Sequence, residues 1–304
     1  MSKKRTHPIV ELTNQRADGF VPSYRRTVRT VLLRQYQKAA NLIRDGYADP
    51  IPWGANQRWA AQLQTTQQMP LMRIAYDGTQ MGALHLKQTS IEEVLSEQKY
   101  SRGLRWPTKD KFLLPGTRAA VDEYLLATSN METLTSIKRI KRIFDTASTE
   151  PVKVFDREGN PVIDSATGVQ AVRGLKTSEI ADLLEHYGLA DTAWRANLIA
   201  RTCSVWGMNE GAQQRYEAMG VPAKKWSTTM DDIACPFCRE MDGVIIRIKD
   251  DFLAPGAELQ VQEGKGEDAK IRKLRIHEGL AVRHPPLHPH GRCGMIPIVD
   301  KRQI

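Results

Sequence analysis

The strongest constraint on this chain is a group of cysteine and histidine residues near its C-terminal end. A CPFC tetrapeptide occupies 235–238, and HPPLHPHGRC follows at 284–293. Together these two segments contain three of the four cysteines and three of the seven histidines. Two cysteines spaced by two residues, followed by a later His/Cys group, are more typical of metal ligation than of a disulfide in a reducing compartment. The pattern predicts a metal site built from two half-sites that are far apart in sequence.

Zinc is the metal that these residue types favour, because zinc binds thiolates and imidazoles in a tetrahedron. The first half-site supplies two sulfurs that turn toward one point, and the second supplies a third sulfur and an imidazole. His288 and His290 are both open as the imidazole ligand, and His284 is less favoured. We therefore predict a structural zinc site whose candidate ligands are Cys235, Cys238, His288, His290 and Cys293.

Two other interpretations of the cluster stay open at the level of sequence. The thiols can be buried, and the histidines hydrogen-bonded to their own loop, without any metal. A catalytic zinc is the other alternative, with Glu240 or Asp242 close enough in sequence to act as a general base. In a zinc-dependent nuclease of this kind, the catalytic candidates would be His284, His288 and His290.

Motifs of several other enzyme classes are absent from the sequence. The sequence contains no HExxH, no HxE deaminase pattern and no carboxylate-rich metal cluster. It also contains no Walker loop, no GxGxxG and no GxSxG. We therefore expect a protein without enzymatic activity.

The positive charge of the chain is concentrated at its start. The formal net charge is +9, and residues 1–46 hold ten Lys or Arg against three Asp or Glu. A basic segment of this kind suits nucleic acid or an acidic protein surface, while a solvated tail is the plainer alternative. The predicted contact residues are Lys3, Lys4, Arg5, Arg25, Arg26 and Arg29. If these residues acted alone, the chain would instead be a free DNA-binding protein.

Nothing in the sequence indicates a membrane partner. No apolar run approaches the length that a bilayer crossing needs. The N-terminal residues lack the apolar core of a secretory signal. We therefore expect the protein in the cytoplasm, or in an assembly that forms there.

Hydrophobic periodicity and turn signals divide the chain into four segments. These are a basic extended arm at 1–22, a helical region at 23–150, a hairpin or linker at 151–175 and a C-terminal module at 176–304. The predicted fold class is α+β. It combines a predominantly helical N-terminal region with a small C-terminal α+β module, which a Cys/His zinc-type knot would pin.

Within the helical region, an apolar stripe at three- and four-residue steps predicts a helix from Tyr24 that stops at Gly46. Further along, two helices are expected to join near Ser129 and Asn130. The hairpin at 151–175 is predicted from alternating apolar and polar residues around an EGNP turn signal.

The C-terminal module is predicted to begin with two helices. The first is closed by Gly188, and the second is capped by Asp191 and runs toward Gly220. Short strands follow at KKWSTT and VIIRI, and MIPIV near the end is expected to form a closing edge strand. The polar segment 249–283 between them is predicted to be a long loop.

Four pieces of the C-terminal third carry a resemblance to known proteins. They are GLKTSEIADLLEHYGLADTAWRANLIARTCSVWGMNEG, YEAMGVPAKKWSTTMDD, CPFCREMDG and PPLHPHGRC. In this order, over residues 174–297, they resemble the phage Mu F-like family of minor head (head morphogenesis) proteins of tailed bacteriophages. The resemblance implies a helical N-terminal part for the remainder of the chain.

Two positions depart from the family pattern. Cys203 stands where the family has a Glu after Arg-Thr, and we expect it to be a small core residue. Gly291 stands where the family has the first Cys of a Cys-Arg-Cys motif, and the neighbouring His290 is a candidate for the missing ligand.

What the resemblance implies is a virion component present in few copies, associated with the portal vertex and the capsid interior. Its implied role is in head assembly and in DNA packaging or delivery. The implied partners are the phage portal protein and the major capsid protein, with packaged double-stranded DNA as a further partner. The implied location is the virion, after assembly in the host cytoplasm.

Overall fold

The computed structural model describes residues 6–86, 116–165, 167–231, 234–263 and 269–299. The chain divides into two compact units. Unit 1 comprises Met1–Thr27, Thr65–Ala127 and Asn197–Ile304, and unit 2 comprises Val28–Gln64 and Thr128–Ala196. No helix within the described ranges is both long enough and apolar enough to cross a membrane.

Four long helices make up most of the N-terminal two thirds. They are α1 (Pro8–Arg44), α2 (Ala55–Leu86), α3 (Thr117–Thr149) and α4 (Thr177–Ala218). Strands appear only after α3 in the described part of the chain. The predicted α+β class, with a helical N-terminal region and a C-terminal region that contains the strands, is therefore confirmed.

The first helix begins earlier than the sequence predicted. α1 starts at Pro8, so the prediction of an extended arm is wrong for residues 8–22. Proline suits the first turn of a helix because the N–H that it lacks would have no partner there. The physical reason for the early start is a stripe of buried side chains that extends upstream, at Val10, Ala17, Tyr24 and Val28. The predicted stop is confirmed: α1 ends at Arg44, just before Gly46, which has a φ of 87°.

α3 is continuous where two helices had been expected. It passes through Ser129, whose side chain is buried, without a break. Serine and threonine favour turns, but inside a helix their hydroxyls can bond the carbonyl four residues earlier. Thr135 and Ser136 do this in α3, donating to the carbonyls of Met131 and Glu132.

α4 is also continuous, so the predicted helix end at Gly188 is wrong. Gly188 lies where Tyr36 packs against the helix backbone, and a Cβ at this position would be 2.8 Å from the Tyr36 Cβ. Asp191 is not a cap but the centre of a polar network. Its carboxylate accepts a hydrogen bond from the Tyr36 hydroxyl at 2.8 Å and pairs with Arg139 and Arg195.

The hairpin predicted at 151–175 is present in unit 2. β1 (Val152–Lys153) pairs antiparallel with β2 (Val172–Arg173). Isolated bridges join Phe155 to Pro161 and Ile163 to Gln170, so the chain between the two strands folds back twice.

The strands of unit 1 form two small sheets. β3 (Ala223–Ser227) lies between β4 (Ile245–Arg247) and β7 (Gly294–Ile298), and both pairings are antiparallel. The predicted strands at KKWSTT and VIIRI, and the closing edge strand, are confirmed. β5 (Glu258–Glu263) and β6 (Lys270–Arg275) form the second sheet, and the short helix α5 (Pro236–Met241) precedes β4.

The β5–β6 pair shows that the predicted loop at 249–283 is wrong over these two strands. The segment looked like a loop because its charges are dense. Those charges pair across the strands, as Lys273 does with Glu258 at 3.2 Å and Arg272 with Glu263 at 3.1 Å. The apolar side chain of Val261 meanwhile packs into the buried cluster of this unit.

Close approach between α2 and α4 in unit 1 depends on glycine. A Cβ at Gly211 would lie 1.9 Å from the backbone oxygen of Ala75, and one at Gly78 would lie 2.3 Å from that of Met208. Glycine weakens an isolated helix by about 1 kcal/mol relative to alanine, so α4 depends on this packing. The two backbones can meet only because neither position carries a side chain.

We expect Gly211→Ala to lower the free energy of unfolding by about 2 kcal/mol, because the helices must separate to admit the methyl group. Gly19→Ala is the matched control, since Gly19 lies inside α1 with nothing within 4 Å of the position of its Cβ. That change should be neutral or stabilising by up to about 1 kcal/mol. Urea unfolding of both variants measures the difference, and equal effects would contradict the packing argument.

Candidate metal centre

The first half-site is the start of α5. Cys235 is the N-cap, with φ −70° and ψ 155°, and Pro236 occupies the first turn, where proline is favoured. The backbone N–H of Cys238 donates to Cys235 Sγ at 3.2 Å. This capping geometry turns both cysteine side chains toward the same side.

The second half-site is the loop that carries His288. The Nδ1–H of His288 donates to the carbonyl of Pro289 at 2.7 Å. A carbonyl can only accept, so this bond places the ring proton on Nδ1 and leaves the lone pair of Nε2 free. Nε2 lies 2.9 Å from Cys235 Sγ and 3.1 Å from Cys238 Sγ. The tautomer and the direction of the ring are those of a metal ligand.

The ligand atoms of Cys235, Cys238 and His288 all lie within 4.8 Å of one another, so this group could hold a metal ion. Around a tetrahedral zinc, a thiolate sulfur and an imidazole nitrogen are about 3.6 Å apart. The observed separations are shorter than this by about 0.5 to 0.7 Å. The donor atoms and the tautomer of His288 suit zinc. A small outward movement of these side chains would bring the sulfur–nitrogen distances to those of a zinc site.

Cys293, the third predicted sulfur, is buried beside this group, 3.6 Å from Thr228 Oγ1. A hydrogen bond with Cys293 raises the pKa of the Cys238 thiol, and burial raises it further. The same hydrogen bond lowers the pKa of Cys293.

A pocket of about 30 Å³ lies beside the two half-sites, which is room for one small ion or one water molecule. Both half-sites contribute to its wall, through Cys235, Cys238, His288, His290, Gly291 and Cys293. The structure therefore brings all five predicted metal-site residues to one small space.

His290 has a different position from His288. It is exposed, has a positive φ of 62°, and its backbone N–H donates to Thr202 Oγ1 at 3.3 Å. It lines the pocket without belonging to the three-residue group. The neighbouring Gly291 is required by packing, because a Cβ there would lie 2.8 Å from the Pro286 Cβ. The cysteine that the family pattern has at this position would clash with the loop.

His284, a candidate of the nuclease interpretation, lies in a buried ion pair. Its Nε2 is 2.9 Å from Glu210 Oε2, and its Nδ1 is 2.7 Å from the carbonyl of Pro285. The carbonyl of Pro285 can only accept, so the Nδ1 atom of His284 carries a proton. Burial would raise the pKa of Glu210, but the hydrogen bond from His284 leaves that pKa lowered. The pair anchors the start of the loop to α4.

Sequence reasoning missed the residues that join the two half-sites. Thr228 Oγ1 donates to the carbonyl of Cys238 at 2.6 Å. Thr229 Oγ1 donates to the carbonyl of Arg292 at 2.6 Å, and Asn14 Nδ2 donates to the same carbonyl at 2.8 Å. Threonines beside a strand gave a weak signal in the sequence. Asn14 gave none, because it is a polar residue on a helix 278 positions from its partner.

The predicted basic contact residues fall into two groups. Lys3, Lys4 and Arg5 lie outside the described residues. Arg25, Arg26 and Arg29 are exposed on α1. Cys203 is buried on α4, as expected of a small core residue.

We expect Glu210→Ala to lower the free energy of unfolding by about 2 kcal/mol, because it leaves the buried His284 ring without its hydrogen-bond partner. The double change Glu210→Leu with His284→Leu should cost less, since both polar groups are removed. Glu278→Ala is the matched control, because its ion pair with Arg275 is exposed, and it should cost less than about 1 kcal/mol. Denaturant unfolding at pH 7 measures all three. A Glu210→Ala cost no larger than that of the control would contradict the buried pair.

Comparison with known proteins agrees with this arrangement. Residues 163–296 match the family model described as Phage Mu protein F like protein. No curated protein and no solved structure matches the chain. The matched segment contains both half-sites of the Cys/His group, and the family implies a role in phage head morphogenesis. Over residues 163–296, the chain is therefore similar to the phage Mu F-like family.

Proposed function

We propose that the chain is a structural minor component of a tailed-phage head, associated with the portal vertex and the capsid interior. There it would aid head assembly and DNA packaging or delivery. The observation that carries this proposal is the family match over residues 163–296. On this proposal the partners are the portal protein, the major capsid protein and packaged double-stranded DNA. The protein resides in the virion after assembly in the host cytoplasm.

The Cys/His group would act in this protein as a zinc staple. Cys235, Cys238 and Cys293 would hold the ion through sulfur, and His288 through Nε2. When bound, zinc supplies a cross-link whose binding free energy adds to the stability of the fold. The support for this role is that the group joins two distant segments beside a small apolar cluster, to which Cys238 and Cys293 belong.

We further propose that the centre has no hydrolytic role. A catalytic zinc needs an open position and a nearby general base. Asp242 is engaged in structure, because its Oδ1 accepts the backbone N–H of Thr228 at 2.9 Å. Glu240 is exposed on α5, and His284 is held in the ion pair with Glu210. The carboxylate of Asp242 and the imidazole of His284 thus already have structural partners.

The basic part of α1 would provide contact with DNA or with an acidic portal surface. Arg25, Arg26 and Arg29 are exposed within two turns of one helix. Lysine and arginine bind phosphates without regard to sequence, and such binding weakens steeply as salt rises. A salt-insensitive affinity for DNA would argue against this part of the proposal.

We expect one zinc per chain in the purified protein. Cys235→Ser and His288→Ala should lose this zinc and melt at lower temperature, because each removes a donor from the group. His290→Ala should keep it. Cys203→Ser is the matched control, since Cys203 is also a cysteine but lies on α4 outside the group. Elemental analysis after dialysis measures the content. Retention of zinc in Cys235→Ser, or its loss only in His290→Ala, would contradict the assignment of His288 as the imidazole ligand.

Purified virions should contain the protein at a fixed low copy number, which peptide counting by mass spectrometry measures against the major capsid protein. Its absence from virions would overturn the structural role. A plasmid-nicking assay with added divalent metal separates the nuclease alternative. Nicking that is lost in His288→Ala would favour that alternative, whereas intact plasmid agrees with the proposal.

A further inference from the structure

The first turns of α1 pack directly on the second half-site, within unit 1. Asn14 Nδ2 donates to the carbonyl of Arg292 at 2.8 Å and lies 3.4 Å from Thr229 Oγ1. One turn earlier, Val10 covers Gly294, where a Cβ would lie 2.9 Å from Val10 Cγ2. α1 therefore touches the chain on both sides of Cys293.

These contacts fix the peptide that carries Cys293. The carbonyl of Arg292 is the one immediately before Cys293, and it accepts from both Asn14 and Thr229. The guanidinium of Arg292 pairs with both carboxylate oxygens of Asp231, at 2.7 and 2.6 Å. Because the carbonyl and the side chain of Arg292 are both held, the direction of the Cys293 side chain is set as well.

The same stretch of α1 and the loop that carries His288 both contact one turn of α4. Asp18 accepts a hydrogen bond from Arg201 on α4 at 2.7 Å. The next residue of α4, Thr202, accepts the backbone N–H of His290 at 3.3 Å. Residues 8–18 of α1 and the His288 loop are thus attached to each other and to one turn of α4.

We propose that Asn14 is a positioning residue for the metal centre, and that metal binding and the docking of residues 8–18 of α1 are coupled. This inference rests on the proposed zinc staple. Asn14 touches no ligand atom; it acts by orienting the 292–293 peptide, and through it Cys293. Coupling between two binding events is reciprocal. If docking of residues 8–18 strengthens metal binding, metal binding must strengthen the docking of those residues by the same free energy.

The coupling has a consequence for the chain as a whole. α1 begins upstream of residue 163, where the family match starts, so the centre depends on a helix that the matched segment does not include. The exposed arginines at 25, 26 and 29 follow the docked stretch on the same helix. Metal binding would therefore decide whether the stretch of α1 that precedes these arginines is held in place.

The first test measures zinc affinity of the full chain by competition with a chelator. Asn14→Asp keeps the shape of the side chain, removes the donor and places a carboxylate against the Arg292 carbonyl. We expect zinc to bind about tenfold more weakly, in the range found for residues behind metal ligands. Gln15→Ala, at an exposed position one residue on, should leave the affinity unchanged. The absorption of the cobalt-substituted protein should shift in Asn14→Asp and not in Gly188→Ala, which disturbs the contact with Tyr36 in unit 2.

The second test needs no substitution. Hydrogen exchange of the wild-type backbone is compared with and without bound zinc. Amides in residues 8–18 should exchange about tenfold faster without zinc, whereas residues 33–43 of the same helix, which belong to unit 2, should not change. Unchanged exchange at 8–18, or an unchanged affinity in Asn14→Asp, would overturn the inference alone and leave the zinc staple standing. A wild-type protein that binds no zinc would overturn both.

Discussion

The contact of two sulfurs with one imidazole nitrogen joins Cys235 and Cys238 to His288, at two ends of a segment built from short elements. Between β3 and β7 the chain forms a six-residue helix, a three-residue strand and a two-stranded hairpin. The buried cluster that these elements share has nine members, among them Cys238 and Cys293. Two-stranded sheets are marginal in water, and ordering a long loop costs conformational entropy. A contact that joins Cys235 to His288 closes most of this segment at one point.

Local signals in the sequence were sufficient to predict that the two Cys/His segments come together. The CPFC spacing, a proline at the first turn and a later His/Cys loop predicted the half-sites because each depends on neighbouring residues only. The choice between His288 and His290 could not be made in this way. It depends on the hydrogen bond from His288 to the Pro289 carbonyl and on the positive φ of His290, which belong to the folded loop. The strands at β3, β4 and β7 were equally local, and they were predicted.

The ends and the packing partners of the helices could not be predicted from such local signals. Gly188 has the usual meaning of a helix end in a sequence, yet in α4 it admits the ring of Tyr36. The buried side chains of α4 also include charged and amide groups. Glu210 pairs with His284, and Gln213 accepts a hydrogen bond from the buried Lys224 at 3.1 Å, where burial lowers the pKa of the amine to about 8. A helix that buries charged and amide groups has no clear apolar stripe, so its length and its partners follow from contacts that only the tertiary structure provides.

A family match and a structural unit need not contain the same residues. A match is a property of consecutive residues, and here it runs from 163 to 296. Unit 1 instead takes α1 residues from one end of the chain and joins them, through Asn14 and Arg292, to the loop at the other. Two donors on one carbonyl restrict the peptide before Cys293 more than either does alone, and one of them comes from outside the match. The geometry of the Cys/His centre is therefore set by the packing of a helix upstream of the match as well as by the ligand motif.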